Sequence, residues 1–384
     1  MPRIDPRLGE MAVFLDECRA RPEITFAQHV ASLEEVVASE ALRKARVYLD
    51  LKYWIFLRDA DLGKPQRPVH IKLLEVMLQG VSEGRIVCPI TEAVFFELDR
   101  QGNTERRMQT VRMIDRLCLG TVIKNSRERF FWEIRDFFDA AIERKVLPTI
   151  GSRMVWVRPY SFLGTPQLSG WGAAEDLAIN KAFLSYMWTR SLEDLLTETP
   201  LPDDSSDAEL QECALRITES SAKNASRMRS FEKVFADEVG GLIQSHKQMI
   251  CDAFRPHAAA MLRYVEAVSD DPSSVEKYGL DLVYSVTSVK APNRALPLIR
   301  ILAGLHAFIR WQRHRSFKFG DFFDLRHAAA AIPYCNVFLT ETFLKTACTS
   351  DLLDFGTAYD TQIISDEDEA IDVVSRLSTI NAHC

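Results

Sequence analysis

The sequence predicts an α/β fold in which a central, mostly parallel sheet is covered by helices and interrupted by a large, mostly α-helical insertion. Two patterns predict it. Near both ends of the chain, short continuous apolar runs alternate with amphipathic helical spacing, which is how parallel strands buried on both faces read. Between about Gly120 and Ser316 strand signals thin out while helical spacing continues. A chain of 384 residues, 47% hydrophobic and 26% charged, can bury enough core for two domains or for one domain with an insertion.

The order of elements follows from local signals. Residues 8 to 45 carry helical spacing (Met11, Phe14 and Leu15, then Val30, Leu33, Val36 and Val37) and form a helical prelude. Val47-Tyr48-Leu49-Asp50 is a short apolar run ending in a carboxylate, a strand that leads into a helix over Tyr53 to Leu57. A second helix follows Pro68, its stripe made by Ile71, Leu74, Met77, Leu78 and Val81, and Gly84 is placed to stop it. The next strand is Arg85 to Ile90. Thr91 can cap a helix that runs to Arg100, and another helix spans about Thr104 to Leu117.

The insertion holds helices over Arg127 to Lys145, Ala173 to Leu192, Ala208 to Phe254 with breaks, and Ala291 to Arg313. Loops are expected at Thr197 to Asp207 and Ser269 to Gly279, with short β pieces at Met154 to Val157 and Leu282 to Val286. The α/β pattern resumes with a helix from Phe319 through Ala331, a strand at Asn336 to Leu339, a further helix, and the run Thr361 to Ile364. Ser365 and Asp368 read as a capping box for the last helix. The expected parts are therefore residues 1 to 45, 46 to 120, 121 to 315 and 316 to 384.

Several function classes are disfavoured. There is no stretch of eighteen apolar residues and no secretory pattern in MPRIDPRLGEM, so a cytoplasmic protein away from membranes is expected. The eight cysteines have neither zinc nor redox spacing and read as small buried hydrophobes. Neither a Walker-type loop nor a Gly-x-Gly-x-x-Gly turn is present, and Leu51 and Lys52 after Asp50 remove the second acid of an Asp-x-Asp phosphatase. A net charge of -7 means that any contact with a polyanion has to come from a local basic surface.

Four segments carry the chemistry: Val-Tyr-Leu-Asp50; Pro89-Ile-Thr-Glu-Ala-Val-Phe-Phe-Glu97-Leu; Gly320-Asp321-Phe-Phe-Asp324-Leu-Arg-His-Ala-Ala-Ala-Ala; and Asn336-Val-Phe-Leu-Thr340-Glu341. In order and spacing they resemble the PIN-domain ribonucleases, including the toxin-type members. The resemblance covers roughly 140 residues in two blocks, the size of one small domain. It implies a three-layer PIN-like domain, Asp50, Glu97, Asp324 and Glu341 as catalytic, metal-holding acids, Mg²⁺ or Mn²⁺ as cofactor, and hydrolysis of RNA phosphodiester bonds. One departure stands out. The family's last acid usually lies two residues after the strand-ending Thr, whereas Glu341 follows Thr340 directly.

The physics runs in the same direction without the family. Ligands of an open parallel sheet gather beyond the carboxyl ends of its strands, where Asp50 and Glu341 are expected, with Glu97 and Asp324 on flanking helices. Carboxylates collected there repel one another unless a hard cation joins them. Taken singly, each has a plainer reading: Glu97 as a helix-surface acid, Asp324 as a first-turn acid and Asp50 as a strand-end turn residue. Asp321 reads as an N-cap, and His327, in its alanine-rich helix, as a packed residue.

Arg310, Arg313, His314, Arg315 and Lys318 lie just before the Asp324 segment. Of these, Arg310, Arg313, Arg315 and Lys318 are candidate phosphate contacts, with a solvated helix end as the competing account. A second basic stretch, Arg106 through Arg129, reads as an exposed face, and the aromatic set Phe130, Phe131, Trp132, Phe137 and Phe138 as core packing rather than base stacking. The expected function is a metal-dependent endoribonuclease with RNA as substrate, its insertion shaping substrate choice or binding a protein inhibitor or regulator. The alternative is a degenerate PIN-like scaffold or RNA-binding module that no longer cuts.

Overall fold

The structure, a computed structural model, describes residues 6–143, 153–198, 206–224, 228–262, 271–289, 294–312 and 314–379. It is a mixed α/β arrangement, mostly helical, around a small parallel sheet. Four strands form that sheet: β1 (Ala45–Leu49), β2 (Ile86–Val87), β5 (Val337–Leu339) and β6 (Gln362–Ile364), in the order β2-β1-β5-β6 and parallel throughout. Between them in sequence, β3 (Val122–Ile123) and β4 (Trp156–Val157) make a two-stranded antiparallel ribbon, tied to the larger sheet's surroundings by a bridge from Ile90 to Val122.

The strands are short and buried because both faces are covered. Val47, Tyr48, Leu49, Val337, Phe338 and Leu339 have no exposed surface. Register brings distant sequence together: Leu49 pairs with Leu339, and Leu339 with Ile364. One hydrophobic core draws on the prelude (Val37, Ala41), both sheet-forming blocks, and the helices between them (Phe130, Phe254, Ile301).

Most local expectations hold. Thr91 caps the helix Glu92–Asp99 by accepting from the Ala93 amide, and Gly84, at φ 69°, ends the helix Val69–Ser82 in a conformation that a side chain would strain. The strand expected at 154–157 appears as a 3₁₀ turn followed by β4. Three details differ. Leu282 to Val286 is helical, inside Pro272–Thr287, because Asp271 caps that helix through the Ser273 and Ser274 amides and Pro272 occupies its first turn. The same helix occupies 272 to 279, where a loop was expected. The last helix, Glu367–Thr379, is capped by Asp366, which accepts from the Glu369 amide, rather than by Ser365. Parts of the two expected loops, 199–205 and 269–270, lie outside the described residues, as do Lys145, 291–293 and Cys384. Of the described cysteines only Cys213 is not buried. Among the described residues no helix is long and apolar enough to cross a membrane.

The alanine-rich helix Asp321–Tyr334 runs beside the sheet with Pro333 inside it. Proline has no N–H, so the carbonyl four residues earlier, that of Ala329, loses its intrahelical partner. Arg129, 1% exposed and on the first insertion helix Ser126–Glu143, donates to that carbonyl at 2.6 Å. The insertion thus repairs a defect in the helix that carries Asp324.

Candidate active site

The sheet order places a topological switch between β1 and β5. From β1 the chain builds β2 on one side, then β5 and β6 on the other, so connections leave the carboxyl ends of β1 and β5 in opposite directions, the topological position of the ligand crevice in open parallel sheets. Asp50 ends β1 and Thr340 ends β5. They meet: the Asp50 amide donates to the Leu339 carbonyl at 3.1 Å, and the Thr340 side chain is near enough to help hold the Asp50 pKa down. Asp50 is also the N-cap of the helix Leu51–Asp61, accepting from the Tyr53 amide.

At the centre of the crevice lies His327, 1% exposed. Its Nε2 donates to Glu97 Oε2 at 2.7 Å, and its Nδ1 lies 2.7 Å from the Tyr48 hydroxyl, which in turn lies 2.7 Å from the Thr91 hydroxyl. This chain is satisfied in either protonation state. When the imidazole is neutral, Thr91 donates to Tyr48 and Tyr48 donates to Nδ1; when it is charged, both bonds reverse. Thr91 accepts from the Ala93 amide in either case.

The electrostatics tie the predicted acids to this one ring. Burial opposes the charged imidazole, yet the carboxylate of Glu97, and beyond it those of Asp50 and Asp324, raise the pKa of His327 above its ordinary value. Burial pushes Asp50 up to about 6, against the pull of His327 and Thr340, with Glu97 adding repulsion. Asp324 is pushed up to about 7 by burial, with Glu341, Asp321 and Glu97 adding repulsion and His327 opposing it. Asp50, Glu97 and Asp324, drawn from three separate segments, are thus within electrostatic reach of a common centre. Glu341 stands at its exposed edge, as the N-cap residue of the helix Thr342–Thr349 with no side-chain cap bond.

Oxygen donors on buried carboxylates whose pKa values are raised suit a hard divalent cation, because its charge would relieve the repulsion that raises them. The geometry is not preformed for one. Among the described residues no group of three or more His, Cys, Asp or Glu is placed to hold a metal ion, and Glu97 already bonds His327.

Three expectations need correction. Asp321 is not an N-cap: it is the first residue of its helix, 2% exposed, and its carboxylate accepts from both terminal nitrogens of Arg315 (3.0 and 2.5 Å) and from the Lys318 amide (2.7 Å). The basic segment is therefore largely spoken for. Arg315 is locked to Asp321 and lies 3.8 Å over the Phe343 ring, and Arg310 pairs with Glu238. Lys318 is exposed, and Arg313 lies outside the described residues. The second basic stretch is not simply an exposed face either, since Lys124 pairs with Glu34 below the surface and Arg129 is buried. Of the aromatic set, Phe130, Phe137 and Phe138 are core, while Phe131 is 39% exposed.

Sequence reasoning passed over Tyr48 and read His327 as a packed residue. Spacing held the signal: His327 follows Asp324 by three residues, one helical turn along the same face, and Tyr48 precedes Asp50 by two, on the same side of a strand. No protein-family model, curated protein or solved structure matches the chain.

Proposed function

We propose that the chain is a PIN-like, metal-dependent nuclease that hydrolyses RNA phosphodiester bonds at the crevice between β1 and β5. One observation carries this reading: Glu97 bonds the buried His327, and Asp50 and Asp324, from separate segments, lie within electrostatic reach of the same ring near the carboxyl end of a parallel sheet. Asp50, Glu97 and Asp324 would hold Mg²⁺ or Mn²⁺, with Glu341 at the rim. A bound divalent cation supplies positive charge against the phosphoryl oxygens and acidifies water at neutral pH. Thr340 and the Tyr53 amide orient the Asp50 carboxylate, His327 holds Glu97 and keeps its charge balanced, and the Tyr48 and Thr91 hydroxyls fix the ring. The choice of RNA rests on the family resemblance.

The test is cleavage of a mixed set of labelled RNAs with Mn²⁺ or Mg²⁺. The wild type cuts, and Asp50→Asn and Glu97→Gln each lose about 10²-fold or more, the scale on which electrostatic groups of an active site act. Equal trace activity in all three would remove the enzyme reading. A second reading, a PIN-like module that no longer cuts, is favoured by the Glu97–His327 bond and by the lack of a ready-made three-ligand group among the described residues. It predicts RNA binding without metal-dependent cleavage.

A further inference from the structure

On the far side of the helix Asp321–Tyr334 the insertion builds a groove of about 1070 Å³, at the upper end of the roughly 300–1,000 Å³ of small-molecule sites. Its walls come from Ser126–Glu143, the pair Phe231–Ser245 and Lys247–Phe254, Pro297–Trp311, and Asp321–Tyr334. Two features separate it from a packing defect. Phe131 and Trp132 line it with their rings 79° apart; Lys124 and Arg135 lie 5.4 and 5.3 Å from the Trp132 ring centroid, so Phe131, 39% exposed, offers the open aromatic face. Arg127 and Arg326 also line it, and neither has a carboxylate partner among the described residues.

The acids in the wall are already engaged. Glu128 accepts from the Asn125 side chain, and Asp252 pairs with Arg255 and accepts from Gln248. In a chain of net charge -7 that pairs Arg310, Arg315 and Arg112 internally, Arg127 and Arg326 bring two positive charges to a groove whose own acids are Glu128, bonded to Asn125, and Asp252, paired with Arg255. Arg326 has a second environment: it also lines a cavity of about 440 Å³ with Phe96, Arg100 and Phe323. Phe96 and Phe323 directly precede Glu97 and Asp324. Arg326 is thus shared by the groove and the smaller cavity, whose wall includes the sequence neighbours of two candidate acids.

The geometry points to a nucleotide site in this groove, with an unpaired base against Phe131, beside Trp132, and its phosphate against Arg127 and Arg326. Aromatic stacking of unpaired bases, together with charge on the phosphate, is a recognition mode that needs no sequence. Two sources supply that chemistry: a free 5′-mononucleotide, or one unit of an RNA strand whose neighbouring phosphodiester reaches the acids. Binding stands on the groove alone, whereas its link to cleavage rests on the function proposed above.

The test uses the full chain carrying Asp50→Asn, so that nothing is consumed. Tryptophan fluorescence is followed on adding AMP or UMP, and anisotropy on adding a labelled unpaired RNA hexamer. Saturable binding is expected in at least one arm, and the arm that saturates identifies the source. Arg127→Glu and Phe131→Ala, both at exposed positions, should each weaken it about 10-fold or more without shifting the thermal midpoint. No saturation by either probe up to millimolar concentration, or binding unchanged in both variants, overturns the site. Failure of the enzyme reading looks different: binding that depends on Arg127 and Phe131, with no metal-dependent cleavage by the wild type, keeps the groove and removes the nuclease. Cleavage with a KM indifferent to Arg127→Glu and Phe131→Ala keeps the nuclease and removes the groove.

Discussion

At the sheet end, Glu97 bonds the one buried histidine that Asp50 and Asp324 reach electrostatically, whereas in the segment 310 to 318 Arg310 has Glu238 and Arg315 has Asp321. The contrast is sharpest on a single helix. Asp321 and Asp324 stand one turn apart, yet Asp321 receives a guanidinium fork and a backbone amide, while Asp324 is pushed up to about 7 by burial that His327 does not offset. Buried carboxylates that fold with a full set of partners serve structure. Those left short of positive charge are stabilised by what binds them, and sites that perturb pKa values in this way are where function concentrates.

The comparison breaks most visibly at Arg315. Arg315→Ala leaves the Asp321 carboxylate buried without its cation and should cost about 3–5 kcal/mol, the usual penalty for breaking one side of a buried pair. Chemical denaturation read against wild type checks it, and a loss below about 1 kcal/mol would mean that Arg315 is a surface group after all. Arg129 ranks next. Arg129→Met fills similar space but leaves the Ala329 carbonyl unpartnered, a loss of about 1–3 kcal/mol. Restoring the missing N–H with Pro333→Ala in the same chain should recover part of that loss, which no simple packing account predicts.

Much of this was legible from local patterns. The strand ends at Asp50 and Thr340, the Thr91 cap, the Gly84 stop and the alanine-rich helix are encoded within a few residues each, and short-range signals are what spacing and capping rules read. What stayed hidden depended on partners far away. Whether Arg315 points to solvent or to Asp321 turns on the packing of Phe343, and Arg129 finds Ala329 across 200 positions of sequence. His327 was read as a packed residue, and it is packed; its place among three acids comes from the sheet register that joins β1 to β5. In 282 to 286, β-branched residues suggested a strand, but the Asp271-Pro272 start upstream nucleates a helix through them.

The acid rim should also announce itself in metal-free stability. The folded pKa of Asp50, about 6, lies above its ordinary 3.8. A raised acid contributes stability that is fully present below about pH 4 and is lost as pH rises through 6. Asp324, raised to about 7, and His327, also raised, have the same sign, so in chelator the wild type should melt lower at pH 8 than at pH 5. Asp50→Asn keeps a competent N-cap and stays neutral, so it should gain about 1–2 kcal/mol at pH 8 and almost nothing near pH 4. A variant-minus-wild-type difference that ignores pH would show that Asp50 ionises freely in the fold.

The smallest effect sharpens the comparison from the other side. Arg112 and Glu193 form an ion pair at 2.7 Å, as short as many buried contacts in this chain, but their side chains are 60% and 37% exposed. Distance alone would rank this pair with Arg315 and Asp321. Solvent screening and the entropy of two long side chains reduce it, and Arg112→Ala should cost under about 0.5 kcal/mol and shrink further in high salt. Measured beside Arg315→Ala in the same denaturant series, it separates burial from proximity as the cause. A loss comparable to that of Arg315→Ala would mean that contact length, and not removal from water, sets the strength of charge pairs in this protein, and the distinction between the acid rim and its surroundings would lose its physical basis.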